Sequence, residues 1–220
     1  MTQPAKRKLG LIVECGPLGA DLKVFKHVIA TLEANTDVQH VTLDNKKKLV
    51  ADCGNAAQLL LSGGCERVVI LWDLFPAWRD DGQKPCRKQD RDNIFGTLAA
   101  AGVAQRDFQS PIAGASDTRR VFLVCIEEEL EAWLLADHKA LEAVLSRPSR
   151  PVRLSRVKSP ESVDNPKKRL TRIFKQEAGW EYNDRVNAEG IIKAVDDLAK
   201  VARACPSFAR FVLHAVKQIL

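Results

Sequence analysis

Two carboxylates stand where apolar runs end. LGLIVEC (residues 9–15) places Glu14 near the close of one hydrophobic stretch, and RVVILWD (67–73) places Asp73 at the close of another. Short continuous apolar runs of this kind read as strands buried on both faces. In open parallel sheets, ligands bind outside the carboxyl ends of the strands, where neighbouring connections diverge. If the first and third strands are neighbours, Glu14 and Asp73 face one crevice. Paired carboxylates repel each other unless a cation bridges them or one takes up a proton. Mg²⁺ or Mn²⁺ suits such oxygen donors, with water and substrate phosphates completing the shell. An ion held there activates water and stabilises negative charge on a phosphodiester, the arrangement for cutting or joining nucleic acid. The alternative for each acid taken alone is a helix or turn cap.

Further acids lie within reach of such a crevice. Asp21 follows the turn GPLG, where it can cap the next helix or supply a ligand. Asp80 and Asp81 sit in a long loop, Leu74 to Gln89, and Glu128 and Glu131 follow a later strand about one helical turn apart. Read as one helix from Ile126, IEEELEAWLLAD puts Glu127, Glu128 and Glu131 on or near its polar side and Asp137 on its apolar stripe. An unpaired aspartate there is costly. A break after Ala136, with Asp137 capping a second helix, is the cheaper arrangement.

The elements that must position these groups alternate. A strand over 9–15 is followed by a helix with apolar positions Leu22, Phe25, Val28, Ile29 and Leu32, then a strand over 38–43, a helix around 55–61 and the strand 67–73. A helix over about 90–101 and a strand over 121–126 complete an α/β unit of residues 1–145, a mostly parallel sheet with helices on both faces. Residues 146–220 read as a basic, proline-rich connector and a C-terminal helical cap. Its helices are expected over 166–176, over 188–203, and after Ser207 as a cap.

The connector carries the chain's charge imbalance. Between Ser146 and Lys175 ten basic residues face two acidic ones, an excess larger than the whole chain's +6. Lys158, Lys167, Lys168, Arg169 and Arg172 suit a phosphate backbone, since each neutralised phosphate releases counterions; a solvated face is the alternative. Trp72, Trp78 and Trp180 can stack on bases or serve as core residues, and Lys46 to Lys48 fall in an expected loop.

Composition excludes other classes. Six cysteines and four histidines are scattered without CxxC or matching His spacing, so neither a zinc site nor a disulfide framework is signalled. No apolar run reaches the roughly 18–20 residues needed to cross a bilayer. The basic start MTQPAKRK leads into a strand, not a signal-peptide core, which predicts a cytoplasmic protein without membrane partners.

LIVECGPLGAD and VVILWDLFPAW together resemble the Toprim catalytic fold of topoisomerases, primases and OLD-type nucleases. Its first strand ends in a glutamate beside a glycine and its third in a DxD motif. On that resemblance Glu14 corresponds to the glutamate and Asp73 to the first aspartate. CIEEELEAWLLAD, NPKKRLTRIF and CPSFARF look like a bacterial Toprim-like family of undefined function related to OLD-type nucleases. The likeness implies a metal-dependent nuclease in a defence system, working with a separate ATPase of the SMC or AAA kind, because this chain has no GxxxxGK[ST] loop. Two positions depart from the pattern. Phe75 stands where the second DxD acid belongs, and Asp21 lies seven residues beyond Glu14. Asp21, Asp80, Asp81 or Glu128 would then supply the missing oxygen. A non-catalytic scaffold that has lost the ion site, and a phosphohydrolase acting on mononucleotides, are the competing expectations.

Overall fold

A computed structural model describes residues 6–76, 84–111, 116–217 and 220. The element order is β1 (Arg7–Val13), α1 (Ala20–Leu32), β2 (Thr36–Thr42), α2 (Lys46–Ser62), β3 (Arg67–Asp73), α3 (Arg87–Ala100), α4 (Gln105–Phe108), β4 (Val121–Ile126), α5 (Glu131–Leu134), α6 (His138–Leu145), α7 (Pro166–Ala178), α8 (Asp184–Lys193), α9 (Leu198–Ala204) and α10 (Pro206–Val216). The four strands are all parallel, in the order β2-β1-β3-β4. The first and third strands are therefore neighbours, with Val13 opposite Leu71, and the connections leaving β1 and β3 diverge at their carboxyl ends.

Side chains alternate across the sheet and build two cores. Leu9, Leu11, Val13, Val69, Leu71, Phe122, Val124 and Ile126 belong to one, with α1, α8 and α10. Ile12, Val68, Ile70, Trp72, Val121 and Cys125 belong to the other, under α2 and α3. Covered faces explain why β1, β3 and β4 read as apolar runs, whereas β2, at the sheet edge, is the polar TDVQHVT with Gln39 and His40 exposed. Gly10 lies under α2, where an added Cβ would press on Leu60 and Val68 at 3.0–3.1 Å. At Gly54, α2 and α3 approach so closely that a Cβ would overlap the Thr97 carbonyl, and Thr97 Oγ1 donates to the Val50 carbonyl at 2.7 Å.

The helices beyond residue 145 share the first core. α8 packs along α1, and α10 lies against β3 and β4. Trp133 meets Phe25, Phe208 and Phe211 at centroid distances of 5.1–5.7 Å. Among the described residues, no helix is long and apolar enough to cross a membrane.

Local chemistry moved several expected boundaries. α2 begins at Lys46 instead of near 55, because Asn45 accepts the Lys48 N–H at 3.0 Å and starts the helix early. Gly19, not Asp21, is the N-cap of α1. Cys205, not Ser207, precedes α10: Pro206 occupies the first position, and the Ser207 hydroxyl meets Glu161 while accepting the Trp133 indole N–H at 2.7 Å. The pattern over 188–203 is two helices, divided where Asp197 accepts the Ala199 N–H. There is no long helix from Ile126. The strand runs to that residue, Glu128 turns the chain at φ +62°, and Asp137 caps α6 by accepting from Lys139 and Ala140, as expected of the break.

Candidate functional site

Glu14 follows β1 by one residue and is in phase with Ile12, so it leans toward the face carrying α2. Its carboxylate accepts the Asp73 N–H at 3.3 Å, and the backbone of Lys46, the first residue of α2, also favours its charged form. Asp73 ends β3 in phase with Val69 and Leu71, toward α1. Asp21 sits in the first turn of that helix. The three acids line one cavity with Phe25, Leu71 and Ile126, and the space between them is about 10 Å³, close to one water-sized body.

A fourth acid, the first residue of α5, adds its charge to Asp73 and Asp21 without lining the cavity. Glu131 is 5% exposed and accepts the Tyr182 hydroxyl at 3.2 Å. Lys167, at the start of α7, reaches over from the basic segment: its Nζ lies 2.7 Å from Asp184 and 3.9 Å from Glu131, and its N–H donates to Glu129 at 3.3 Å.

Burial without enough positive charge sets the protonation of the group. Loss of water pushes Glu14 up to about 7, partly offset by Lys46. Glu131 is pushed to about 7, with Lys167 opposing, and Asp21 to about 6, with Asp184 adding to burial and Lys167 opposing. Asp73 is held well above the usual carboxylate range by burial and then by Asp21, Glu14, Glu131 and Glu129. The cluster is short of cations.

Its donor set, all carboxylate oxygen around a one-water space, fits a hard divalent ion. It is not closed into a chelate. Among the described residues, no three His, Cys, Asp or Glu side chains stand together as ready-made ligands.

A family model described as Domain of unknown function (DUF4276) matches residues 20–214. The chain belongs to the DUF4276 family. No curated protein and no solved structure matches it. The DUF4276 match takes in Asp21, Asp73, Glu131, Lys167, Tyr182 and Asp184, while Glu14 lies before it.

Within this DUF4276 chain, Glu14, Asp73 and Asp21 come together, and Glu128 does not join them. The charges facing Glu128 are Asp164, Glu129 and Glu127. Glu128 turns the chain at φ +62° and is not among the residues lining the cavity, whereas the charge of Glu131, expected near the polar side of a helix, adds to the rise of Asp73. A carboxylate flanked by Leu130 and the run AWLL was the available signal for burial. Asp80, Asp81 and Trp78 lie outside the described residues.

Lys46 was expected in a loop and is 3% exposed. It donates to the carbonyls of Leu74 and Pro76 at 2.6 and 2.5 Å and lies 3.7 Å from Asp90. Trp72 is buried, its indole N–H bound to Asp90 at 3.1 Å, so it is a core residue and not a base-stacking platform. Trp180 is partly exposed, edge-on to Phe174. Lys168, Arg169 and Arg172 are exposed around a cavity of about 100 Å³ at the start of α7; Lys158 is exposed but does not line it.

Proposed function

We propose that this DUF4276 protein is a Toprim-like, divalent-metal-dependent nuclease that cleaves phosphodiester bonds in DNA or RNA. The observation carrying the reading is the single cavity shared by Glu14, Asp21 and Asp73 at the diverging carboxyl ends of β1 and β3. Asp73 and Asp21 line it from β3 and α1, and Glu14 is held beside them by the backbone N–H of Asp73. These three residues would hold Mg²⁺ or Mn²⁺. Once bound, the ion supplies Lewis acidity and a water of lowered pKa.

The remaining residues divide the work. Lys167 balances Glu131 and Asp184 at the mouth of the cluster, where a scissile phosphate brings its own charge. Glu131, buried and hydrogen-bonded to Tyr182, is poised to hold a proton near neutrality. Lys168, Arg169 and Arg172, with Lys158 further along, hold the flanking phosphates. The chain lacks a nucleotide-hydrolysing loop, which supports a separate SMC- or AAA-type ATPase as partner in a cytoplasmic defence system.

The test is Mn²⁺-dependent cleavage of supercoiled, linear and single-stranded substrates. Wild-type chain should cut, and Glu14→Gln and Asp73→Asn should each lose activity; equal cutting by the variants removes the proposal.

A second reading, a non-catalytic Toprim-like binding module, is favoured by Phe75 at the second acid position and by the absence of a ready-made three-acid ligand set among the described residues. Nucleic-acid binding without any effect of Mn²⁺ would select it.

A further inference from the structure

On the α2/α3 side of the sheet, beside β4, lies a cavity of about 320 Å³ that the nuclease reading does not use. Arg87, Lys88 and Arg91 from the first turns of α3 and Arg210 from α10 surround it, over a floor that includes Leu123 and the buried Trp72. Four cations surround one space; of the acids near them, Asp90, bonded to the Trp72 indole at 3.1 Å, is matched by Lys46 at 3.7 Å, and Glu161 is the acid whose charge acts on Arg210. Arg87 pairs with Glu127 at 2.5 Å, and Arg91 lies 3.3 Å from its neighbour Asp92. Among the described residues, Lys88 and Arg210 have no acidic partner within 4 Å. Among the described residues no side chain caps the α3 N-terminus, and the acid in its first turn, Asp90, is bonded to Trp72 and paired with Lys46.

The chemistry of such a cavity is selective. Guanidinium groups bind phosphate oxygens in pairs, and a lysine adds a mobile point charge. The volume falls at the lower end of small-ligand pockets. It exceeds what a bare phosphate fills, and the apolar floor gives a ring or aliphatic portion something to rest on. We propose that this cavity binds a nucleotide, its phosphate among Arg87, Lys88, Arg91 and Arg210 and its apolar portion over Leu123. Trp72 lines both this cavity and the acidic one. The nucleotide therefore comes either from free solution or from a strand whose neighbouring phosphodiester reaches the acids. The proposal concerns binding and stands without the metal reading.

Isothermal titration of the full chain in EDTA, which disables any metal chemistry, tests it with AMP, inorganic phosphate and 5′-phosphorylated hexathymidylate as probes. AMP or the oligonucleotide should bind one to one, and Lys88→Gln and Arg210→Gln should each weaken binding about tenfold, the loss of one charge-assisted contact. Lys88 is exposed, so its variant keeps the fold even if the Arg210 variant does not. AMP binding as tightly as the oligonucleotide marks a free-nucleotide site; clear preference for the oligonucleotide marks a strand site. No saturable binding of any probe, phosphate binding as tight as AMP, or variants equal to wild type would overturn the proposal.

Discussion

The carboxylate of Glu14 accepts the backbone N–H of Asp73 at 3.3 Å. The acid that follows β1 is thereby tied to the residue that ends β3, its neighbour in the sheet. That bond keeps two carboxyl groups together, both raised above the usual carboxylate range by burial, and the protonation and stability of the chain should register it.

The first prediction concerns pH. Glu14 and Glu131 titrate near 7 in the folded chain and Asp21 near 6, all raised above their unfolded values. A raised acid binds its proton more tightly when folded, so the stability it contributes is present at low pH and lost as pH rises through the folded value. His214, lowered to about 4 by burial and by Arg119, Arg67 and Arg210, acts in the opposite direction below about 6.5. Between pH 6 and 8 the acids outnumber it. The melting temperature of the metal-free protein should fall as pH rises from 6 to 8, and a millimolar excess of Mn²⁺ should restore much of the loss at pH 8. A flat profile would mean that the acids are better solvated than their surroundings indicate.

Lys46→Met should be among the most damaging single changes. It removes the cation beside the 2%-exposed Asp90 and orphans the Leu74 and Pro76 carbonyls. Breaking a buried pair by removing one partner costs about 3–5 kcal/mol. Urea denaturation at pH 7 measures this, and a loss near zero would show that Asp90 is carried by Trp72 alone.

Tyr182→Phe leaves the ring packed against Phe174 and removes the hydroxyl that serves Glu131. A buried acceptor deprived of its donor costs about 1–2 kcal/mol. The same change should push the Glu131 carboxyl further up, shifting the pH dependence of cleavage upward while leaving oligonucleotide affinity unchanged. An unaltered pH profile would detach Glu131 from the chemistry.

Gly54→Ala sets two effects against each other. Alanine gains about 1 kcal/mol of helix propensity over glycine. The new methyl would meet the Thr97 carbonyl, a backbone group that cannot swing aside, and overpacking of this kind costs about 1–3 kcal/mol. The clash should win, with net destabilisation by thermal melting. A stabilised variant would show that α3 slides freely over α2.

Much of the architecture was legible in the sequence because both faces of the sheet are covered. Apolar runs such as RVVILWD have no solvent side, and their order with intervening helices implied a mostly parallel sheet; that β1 and β3 meet stood only as a condition, which the strand order β2-β1-β3-β4 supplies. Asp137 as a cap was legible too, since the cost of an unpaired buried aspartate decides it. The acids beyond the strand ends were harder to read. Glu131 and Glu128 have the same side-chain chemistry and differ by a positive-φ turn that no periodicity encodes. Lys46 sits in a run of three lysines, and the groups that make its burial possible, the carbonyls of Leu74 and Pro76 and the carboxylate of Asp90, lie about thirty or more residues away. Likewise, the cations around the cavity beside β4 come from segments more than a hundred residues apart, Arg87 and Arg210.

The most direct measurement of the central claim is a titration with Mn²⁺, followed by the loss of the free ion's paramagnetic resonance signal. One ion should bind per chain, and Asp21→Asn and Asp73→Asn should each weaken it at least about tenfold, as expected when a charged ligand is removed. Circular dichroism melts confirm that the variants fold. Binding of equal strength in wild type and both variants, or no binding at millimolar Mn²⁺, would contradict a shared ion site for Glu14, Asp21 and Asp73.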